Sequence, residues 1–107
     1  MGQPLDPKVD HRISLEKAAA LTKQFRVMHK GAYADAVAAF NAGPVLQLLQ
    51  QKGCVGIRTY RAEYESGATS LVLVGVDEKG NDMVEGIILD QSFPCPPYCS
   101  DDNALNT

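Results

Sequence analysis

The segment TSLVLVGVD, residues 69–77, constrains the fold of this 107-residue chain more than any other stretch. Its β-branched and apolar composition is typical of a β-strand, in which side chains alternate between the two faces. A strand with apolar side chains on both faces must be covered on both sides, because an exposed apolar patch usually marks an interface. The two faces are Leu71 and Leu73 on one side, and Val72, Val74 and Val76 on the other.

Short turns flank this segment and predict antiparallel neighbours. Ser66-Gly67 is a turn signal before it, and DEKGND, residues 77–82, is a second turn in which glycine or asparagine can adopt positive φ. An alternating pattern precedes the first turn, and an apolar run follows the second. The sequence therefore predicts a three-stranded antiparallel meander with strands in 54–65, 69–77 and 83–90.

The N-terminal half has helical spacing and predicts two or three helices. Residues 13–31 begin with Ser14 as N-cap and place Ala18, Leu21, Phe25 and Met28 on one face. Two shorter helices are predicted, and Pro44 occupies the first turn of the second of them, where its missing N–H costs nothing. Each predicted helix ends at a glycine; the two shorter helices cover 32–43 and 44–53.

These elements predict an α+β fold with one domain, residues 13–91. A flexible arm, 1–12, precedes the domain, and a tail with proline and cysteine, 92–107, follows it. The helices can cover one face of the middle strand. The second face needs the tail, the arm or a second copy of the chain. A homodimer, or else a protein partner, is the favoured interpretation, with its interface at Val72, Val74 and Val76.

Composition excludes several classes of protein. Hydrophobic residues make up 45% and charged residues 21%, which is typical of a globular protein. The net charge is −3 and basic residues are interleaved with acidic ones, so nucleic acid is not expected as a partner. No apolar run approaches the roughly 18 residues of a membrane span, and the N-terminus does not resemble a secretory signal. A cytoplasmic protein without membrane contact is predicted.

The sequence CPPYC contains the main candidate site residues, Cys95 and Cys99. An extended polyproline conformation would hold their Cα atoms roughly 12 Å apart, whereas a disulfide requires about 7 Å or less. The pair can join only if the chain turns, for example through a cis proline. Three alternatives stay open: structural thiols, a disulfide or redox pair, and ligands of a metal such as zinc. An odd count of three cysteines argues against a disulfide framework.

Other candidates are weaker. Cys54, His11 and His29 would complete a zinc set by composition, but a meander places Cys54 and the tail at opposite ends of the sheet, roughly 33 Å apart. Cys54 is therefore interpreted as a small core residue. Two arginines and two tyrosines of the first strand, Arg58, Tyr60, Arg61 and Tyr64, could form a polar groove or simply pair with Glu63, Glu65 or Asp77.

The strings GCVGIRTY, LVLVGVDEKGND and ILDQSFPCPPYCS, preceded by ISLEKAAALTKQFR, resemble a group of small bacterial proteins of unknown activity. The resemblance covers residues 13–100 and implies a bacterial single-domain protein. It implies no activity, cofactor or catalytic residue.

No catalytic or cofactor-binding motif stands out, so the sequence favours a non-enzymatic module that self-associates or binds a protein. The alternative function is a thiol-redox or metal-binding protein that uses Cys95 and Cys99.

Overall fold

The computed structural model describes residues 2–30 and 37–107. The described residues form an α+β fold, as predicted. The elements are α1 (Leu15–Met28), β1 (Ala38–Ala39), α2 (Ala42–Leu49), β2 (Gly56–Glu63), β3 (Thr69–Val76), β4 (Ile88–Leu89) and β5 (Phe93–Pro94). β2, β3 and β4 make a three-stranded antiparallel sheet in that order, and β1 and β5 make a separate two-stranded antiparallel sheet.

The β2–β3 hairpin is the most regular part of the sheet. Its register pairs Gly56 with Val76 at one end and Glu63 with Thr69 at the other. Gly67 occupies the predicted turn at a φ of 89°, a conformation that favours glycine, and its N–H donates to the Tyr64 carbonyl at 2.9 Å. The alternating pattern of the sequence thus predicted this hairpin correctly.

The third strand is much shorter than the predicted 83–90. Within this range only Ile88 and Leu89 pair with β3, because the chain turns at residues 83–86, where the Gly86 N–H donates to the Met83 carbonyl at 3.0 Å. Before the turn, Asp82 forms an isolated bridge with Val76, and the Met83 N–H donates to the Gly75 carbonyl. The side-chain oxygen of Gln51 accepts from the Ile87 N–H at 2.7 Å. A side chain that follows α2 therefore satisfies a backbone donor that a longer strand would have paired within the sheet.

α2 covers the first face of β3. Leu48 is fully buried, and Leu73 on that face is 6% exposed. The backbone of Gly75 is closely surrounded: a Cβ there would lie 3.1 Å from Cys54 Sγ and 3.2 Å from both Gln51 Nε2 and Met83 Sδ. A helix packed on the meander agrees with the prediction.

The N-terminal arm lies over the second face. Leu5 is so close to Gly56 that a Cβ there would come within 2.7 Å of the leucine side chain, and a Cβ at Gly80 would collide with the Gln3 carbonyl. Val74 and Val76 are 3% and 1% exposed within the single chain. The sequence allowed the tail, the arm or a second copy to cover this face. The arm covers it at the end of β3 where Val76 pairs with Gly56.

The proposed valine interface stays a prediction, but a second copy is not needed to bury Val74 and Val76. Val72, the third of these residues, is half-buried.

α1 begins after the predicted N-cap, but it ends at Met28 with His29 as C-cap and packs less than predicted. Gly31, where the prediction ended this helix, lies outside the described residues. Ser14 is the N-cap, and its hydroxyl accepts from the Lys17 N–H at 3.0 Å. The helix contains no buried residue. Phe25 is half-buried, whereas Leu21 and Met28 on the same predicted face are 56% and 69% exposed. The apolar face of α1 is therefore only partly covered.

The second predicted helix, 32–43, does not form where the structure describes it. Residues 32–36 lie outside the described residues. Ala38 and Ala39 form β1, and Asn41 is already the N-cap of α2. Gly43, predicted to end a helix, lies in the first turn of α2 together with Pro44. The alanines pair with β5 instead, which a local helical pattern could not reveal.

Candidate functional site

The two-stranded sheet holds in place the proline-cysteine loop, residues 95–99. β1 and β5 pair Ala38 with Pro94 and Ala39 with Phe93, immediately before Cys95. On the far side of the loop, the Tyr98 N–H donates to the Pro94 carbonyl at 2.9 Å. The rings of Phe93 and Tyr98 lie in contact, with centroids 4.7 Å apart. The start and the end of the loop are thus joined by non-covalent contacts.

Cys95 and Cys99 form a disulfide. The chain turns between them, with cis peptide bonds at Cys95-Pro96 and Pro96-Pro97, and the Cα atoms are 4.8 Å apart. This distance lies within the range of protein disulfides. Of the three alternatives that the sequence left open for these cysteines, the structure contains the disulfide. Zinc would require both sulfurs as thiolates, so metal binding by Cys95 and Cys99 applies to the reduced pair and stays a prediction.

The two sulfur-bearing residues differ in exposure. Cys95 is 3% exposed, whereas Cys99 is an exposed residue at the surface. Their sequence separation is only 4, so the loop-entropy model gives the disulfide about 2 kcal/mol of stabilisation. The fold does not therefore depend mainly on this bond, and its reduction need not unfold the chain.

An open cavity of about 610 Å³ adjoins the loop. Its volume lies within the range of small-molecule sites in proteins, roughly 300–1,000 Å³. The wall brings together α1, the β2–β3 hairpin, the loop and the C-terminal tail; among its residues are Phe25, Arg26, Arg61, Leu71, Cys95 and Leu105.

Two arginines lie in the wall of the cavity. Arg26 donates from its guanidinium to the backbone oxygens of Leu105 at 2.7 Å and of Thr107 at 3.0 Å, so it ties α1 to the tail. Arg61 lies opposite Leu71 in the β2–β3 register, on the same face. Arg61 is exposed, and among residues 2–30 and 37–107 no hydrogen bond or ion pair occupies its guanidinium.

A second polar cluster lies on the opposite face of the sheet, around Asp82. Arg58 donates to the Asp82 carboxylate at 2.6 Å, and the Tyr60 hydroxyl donates to its other oxygen. The Tyr60 hydrogen bond, assisted by Arg58, lowers the pKa of Asp82, while the same hydrogen bond raises the pKa of Tyr60. The hydrogen bond to Asp82 also raises the pKa of Arg58.

Asp90 forms a smaller cluster on that face. The Ser70 hydroxyl donates to Asp90 at 2.8 Å and the Tyr64 hydroxyl donates at 2.9 Å. The pKa of Asp90 is lowered, mainly by a backbone hydrogen bond from Gln91 and to a smaller extent by the hydrogen bonds from Ser70 and Tyr64. The Ser92 backbone N–H donates to the Ser70 hydroxyl at 3.3 Å and closes the cluster.

The predicted polar groove is therefore divided. Arg58 and Arg61 are three residues apart along a strand, so they lie on opposite faces. Arg58 pairs with Asp82 rather than with the three acidic residues suggested by the sequence, Glu63, Glu65 and Asp77. Sequence reasoning missed Asp82 and Asp90 as partners. A hairpin in which Asp82 pairs with Val76 puts Asp82 on the same face of the sheet as Arg58, across β3 from it.

The other candidates do not gather at the disulfide. Cys54 is a half-buried free thiol whose S–H donates to the Gly56 carbonyl at 3.2 Å. The ring of His29 stacks on Phe25 at the end of α1, at 4.5 Å. His11 lies exposed in the arm. Within the described part of the chain, no three His, Cys, Asp or Glu side chains are grouped so that they could hold a metal ion.

The chain matches no protein-family model, no curated protein and no solved structure. In the described ranges, no helix is both long and apolar enough to cross a bilayer.

Proposed function

We propose that this protein is a self-associating interaction module that acts as a homodimer. The observation that carries the proposal is the accessible surface of the single chain, 8289 Å². A compact folded monomer of 11.5 kDa is expected to expose about 5,800 Å². The chain thus exposes roughly 2,500 Å² more than a monomer of its size normally does.

The radius of gyration supports the same interpretation. It is 15.5 Å, whereas a compact domain of this length has about 13 Å. A chain that is both expanded and poorly buried lacks part of the packing that stabilises a small domain. A second copy would supply this packing.

The extra surface is concentrated in the N-terminal arm and α1. Residues 3–17 are all exposed. On the predicted apolar face of α1, Leu21 is 56% and Met28 is 69% exposed, whereas the exposed Leu15 and Val27 lie on other sides of the helix. An amphipathic helix normally buries its apolar face, so we place the dimer interface on the face of Leu21 and Met28 rather than at the buried valines of β3.

The area available fits a homodimer. Obligate homodimers bury about 2,000–5,000 Å² in total, that is, roughly 1,000–2,500 Å² from each subunit. The excess accessible surface of one chain, roughly 2,500 Å², is large enough to form its half of such an interface. The proposal therefore commits to a second copy of this chain as the occupant.

Sedimentation or light scattering at several protein concentrations tests the proposal. We expect a particle of twice the chain mass at micromolar concentration. Leu21→Glu should shift the equilibrium to monomer, because a charge would be buried in the interface. Leu46→Glu is the matched control, since Leu46 is 53% exposed on α2 and outside the proposed surface.

A wild-type chain that stays monomeric at every concentration would refute the proposal without any variant. Equal effects of Leu21→Glu and Leu46→Glu on the association constant would refute the location of the interface. Because both leucines are exposed, circular dichroism should show that both variants keep the native fold.

A further inference from the structure

We propose that the Cys95–Cys99 disulfide is a thiol–disulfide exchange site, and that the adjoining cavity seats a small thiol that carries carboxylate groups. This inference is independent of self-association. It rests on the disulfide, on the unequal exposure of its two cysteines, and on the arginine-bearing cavity of about 610 Å³ whose wall includes Cys95.

The exposure of the two residues determines which sulfur is attacked. Cys99 lies at the surface, so a thiolate can approach it, whereas Cys95 is 3% exposed and shielded. The cavity wall contains Cys95 and also Ser100, the neighbour of Cys99. Cys99 itself is not part of the wall, so a seated thiol attacks it from the edge of the cavity, where Ser100 follows Cys99 in the chain.

The exchange proceeds in two steps. A substrate thiolate attacks Cys99 Sγ, the bond between the two cysteine sulfurs breaks, and its electron pair leaves with Cys95 as a thiolate. A second substrate thiolate then attacks the substrate sulfur of the mixed disulfide and releases Cys99 as a thiolate. Two substrate thiols are oxidised to one disulfide, and the two protons that they lose protonate Cys95 and Cys99.

The charges of the cavity indicate the class of substrate. Arg61 is exposed and, among the described residues, has no carboxylate partner, so it is the guanidinium that a substrate carboxylate can reach; Arg26 is already occupied by backbone oxygens of the tail. Guanidinium groups bind carboxylates with paired hydrogen bonds. Phe25 and Leu71 supply an apolar wall for the rest of the molecule. A small anionic thiol fits this combination better than a cationic one.

The loop can survive reduction in place. The β1–β5 pairing, the Tyr98–Pro94 hydrogen bond and the Phe93–Tyr98 ring contact do not involve sulfur. They keep the two cysteines near each other after the bond is broken, so an oxidised substrate can re-form the disulfide by the reverse steps.

Reduction kinetics with two probe thiols test the charge preference. Reduced glutathione carries carboxylates and cysteamine carries an ammonium group; the release of protein thiols is followed by alkylation and mass spectrometry. After correction for thiolate fraction, we expect glutathione to react faster. Arg61→Gln should slow glutathione roughly fivefold and leave cysteamine unchanged. Arg12→Gln in the exposed arm is the matched control.

Salt dependence provides a measurement that needs no variant. The advantage of glutathione over cysteamine should decrease as ionic strength rises from about 0.02 to 0.5 M, because salt screens exposed charges. Equal corrected rates for the two thiols at low salt would overturn the anionic-substrate assignment. A disulfide that neither thiol reduces under native conditions would overturn the exchange site itself.

Single-cysteine variants test which sulfur is attacked. With Cys95→Ser, oxidised glutathione should form a stable mixed disulfide on Cys99. With Cys99→Ser, Cys95 should react at least tenfold more slowly, since rates of exchange depend on access. The reverse order of reactivity would overturn the assignment of Cys99 as the attacked residue.

Discussion

α1 and α2 differ in how their helical structure is stabilised. α1 has 14 residues and a capped N-terminus at Ser14, yet it contains no buried residue. α2 has only 8 residues and no side-chain hydrogen bond at its N-cap Asn41, yet Leu48 is fully buried. Helices shorter than about 12–15 residues are marginal in water, so α2 depends on its contacts with the sheet.

This comparison separates two sources of helical order. A good cap and helix-forming residues define where α1 begins, but they do not make it part of the core. Leu48 makes α2 part of the core, although α2 is shorter than α1 and has no side-chain hydrogen bond at its N-cap. The exposed apolar side chains of α1 are consistent with a role in binding a second copy.

The largest expected effect comes from removing the packing of α2. Leu48→Ala should lower the free energy of unfolding by about 3 kcal/mol, because truncation of this fully buried side chain leaves a cavity in the core. Leu46→Ala, at a 53% exposed position of the same helix, should change it by less than about 0.5 kcal/mol. Urea denaturation of both variants measures the difference. Similar losses in the two would show that α2 does not derive its stability from burial.

A smaller effect is expected from the N-caps. Ser14→Ala removes the hydroxyl that accepts from Lys17 and should destabilise α1 locally by about 1 kcal/mol. Asn41→Ala should destabilise α2 by only a few tenths of a kcal/mol, since no side-chain hydrogen bond at the N-cap is lost. Amide hydrogen exchange in the first turn of each helix measures the change. A larger loss of protection at α2 would contradict the comparison.

The smallest expected effect is on the pH dependence of stability, and it involves Asp82 beside the sheet that packs against α2. The pKa of Asp82 is lowered in the folded chain by its hydrogen bond from Tyr60 and by Arg58. Its contribution to stability is therefore complete above the unfolded value of about 3.9, and it is lost as pH falls through the lower folded value.

Asp82→Asn should reduce stability at pH 7 and flatten the loss of stability below about pH 4. Asp102→Asn in the exposed tail is the control and should leave the acid profile unchanged. Urea midpoints at several pH values give both profiles. An unchanged profile for Asp82→Asn would show that the cluster does not contribute.

Some of the fold was predictable from local patterns. The alternation of residues 54–77 and the turn at Gly67 specified the hairpin, and Ser14 specified the start of α1. The third strand was predicted too long, and a helix was predicted where Ala38 and Ala39 form β1, both for the same reason. Local apolar patterns cannot show that Gln51 bonds to the Ile87 N–H, or that two alanines of a helical pattern pair with β5.

The candidate site was predictable only as a set of alternatives. The spacing of Cys95 and Cys99 identified the loop, but an extended chain would have kept the two cysteines apart. The cavity could not be predicted, because it joins Phe25, Arg61 and the tail, which are distant in sequence.

The two-sided apolar strand follows from the order of its residues, because side-chain alternation depends on backbone geometry alone. The hairpin and the capped start of α1 follow in the same way, because they depend on neighbouring residues. The layers that cover the two faces of the strand come from distant segments: α2 and Leu48 on one side, and the arm with Leu5 on the other. The tertiary structure also brought Cys95 to the wall of an arginine-bearing cavity, since contacts between distant segments depend on how the whole chain packs.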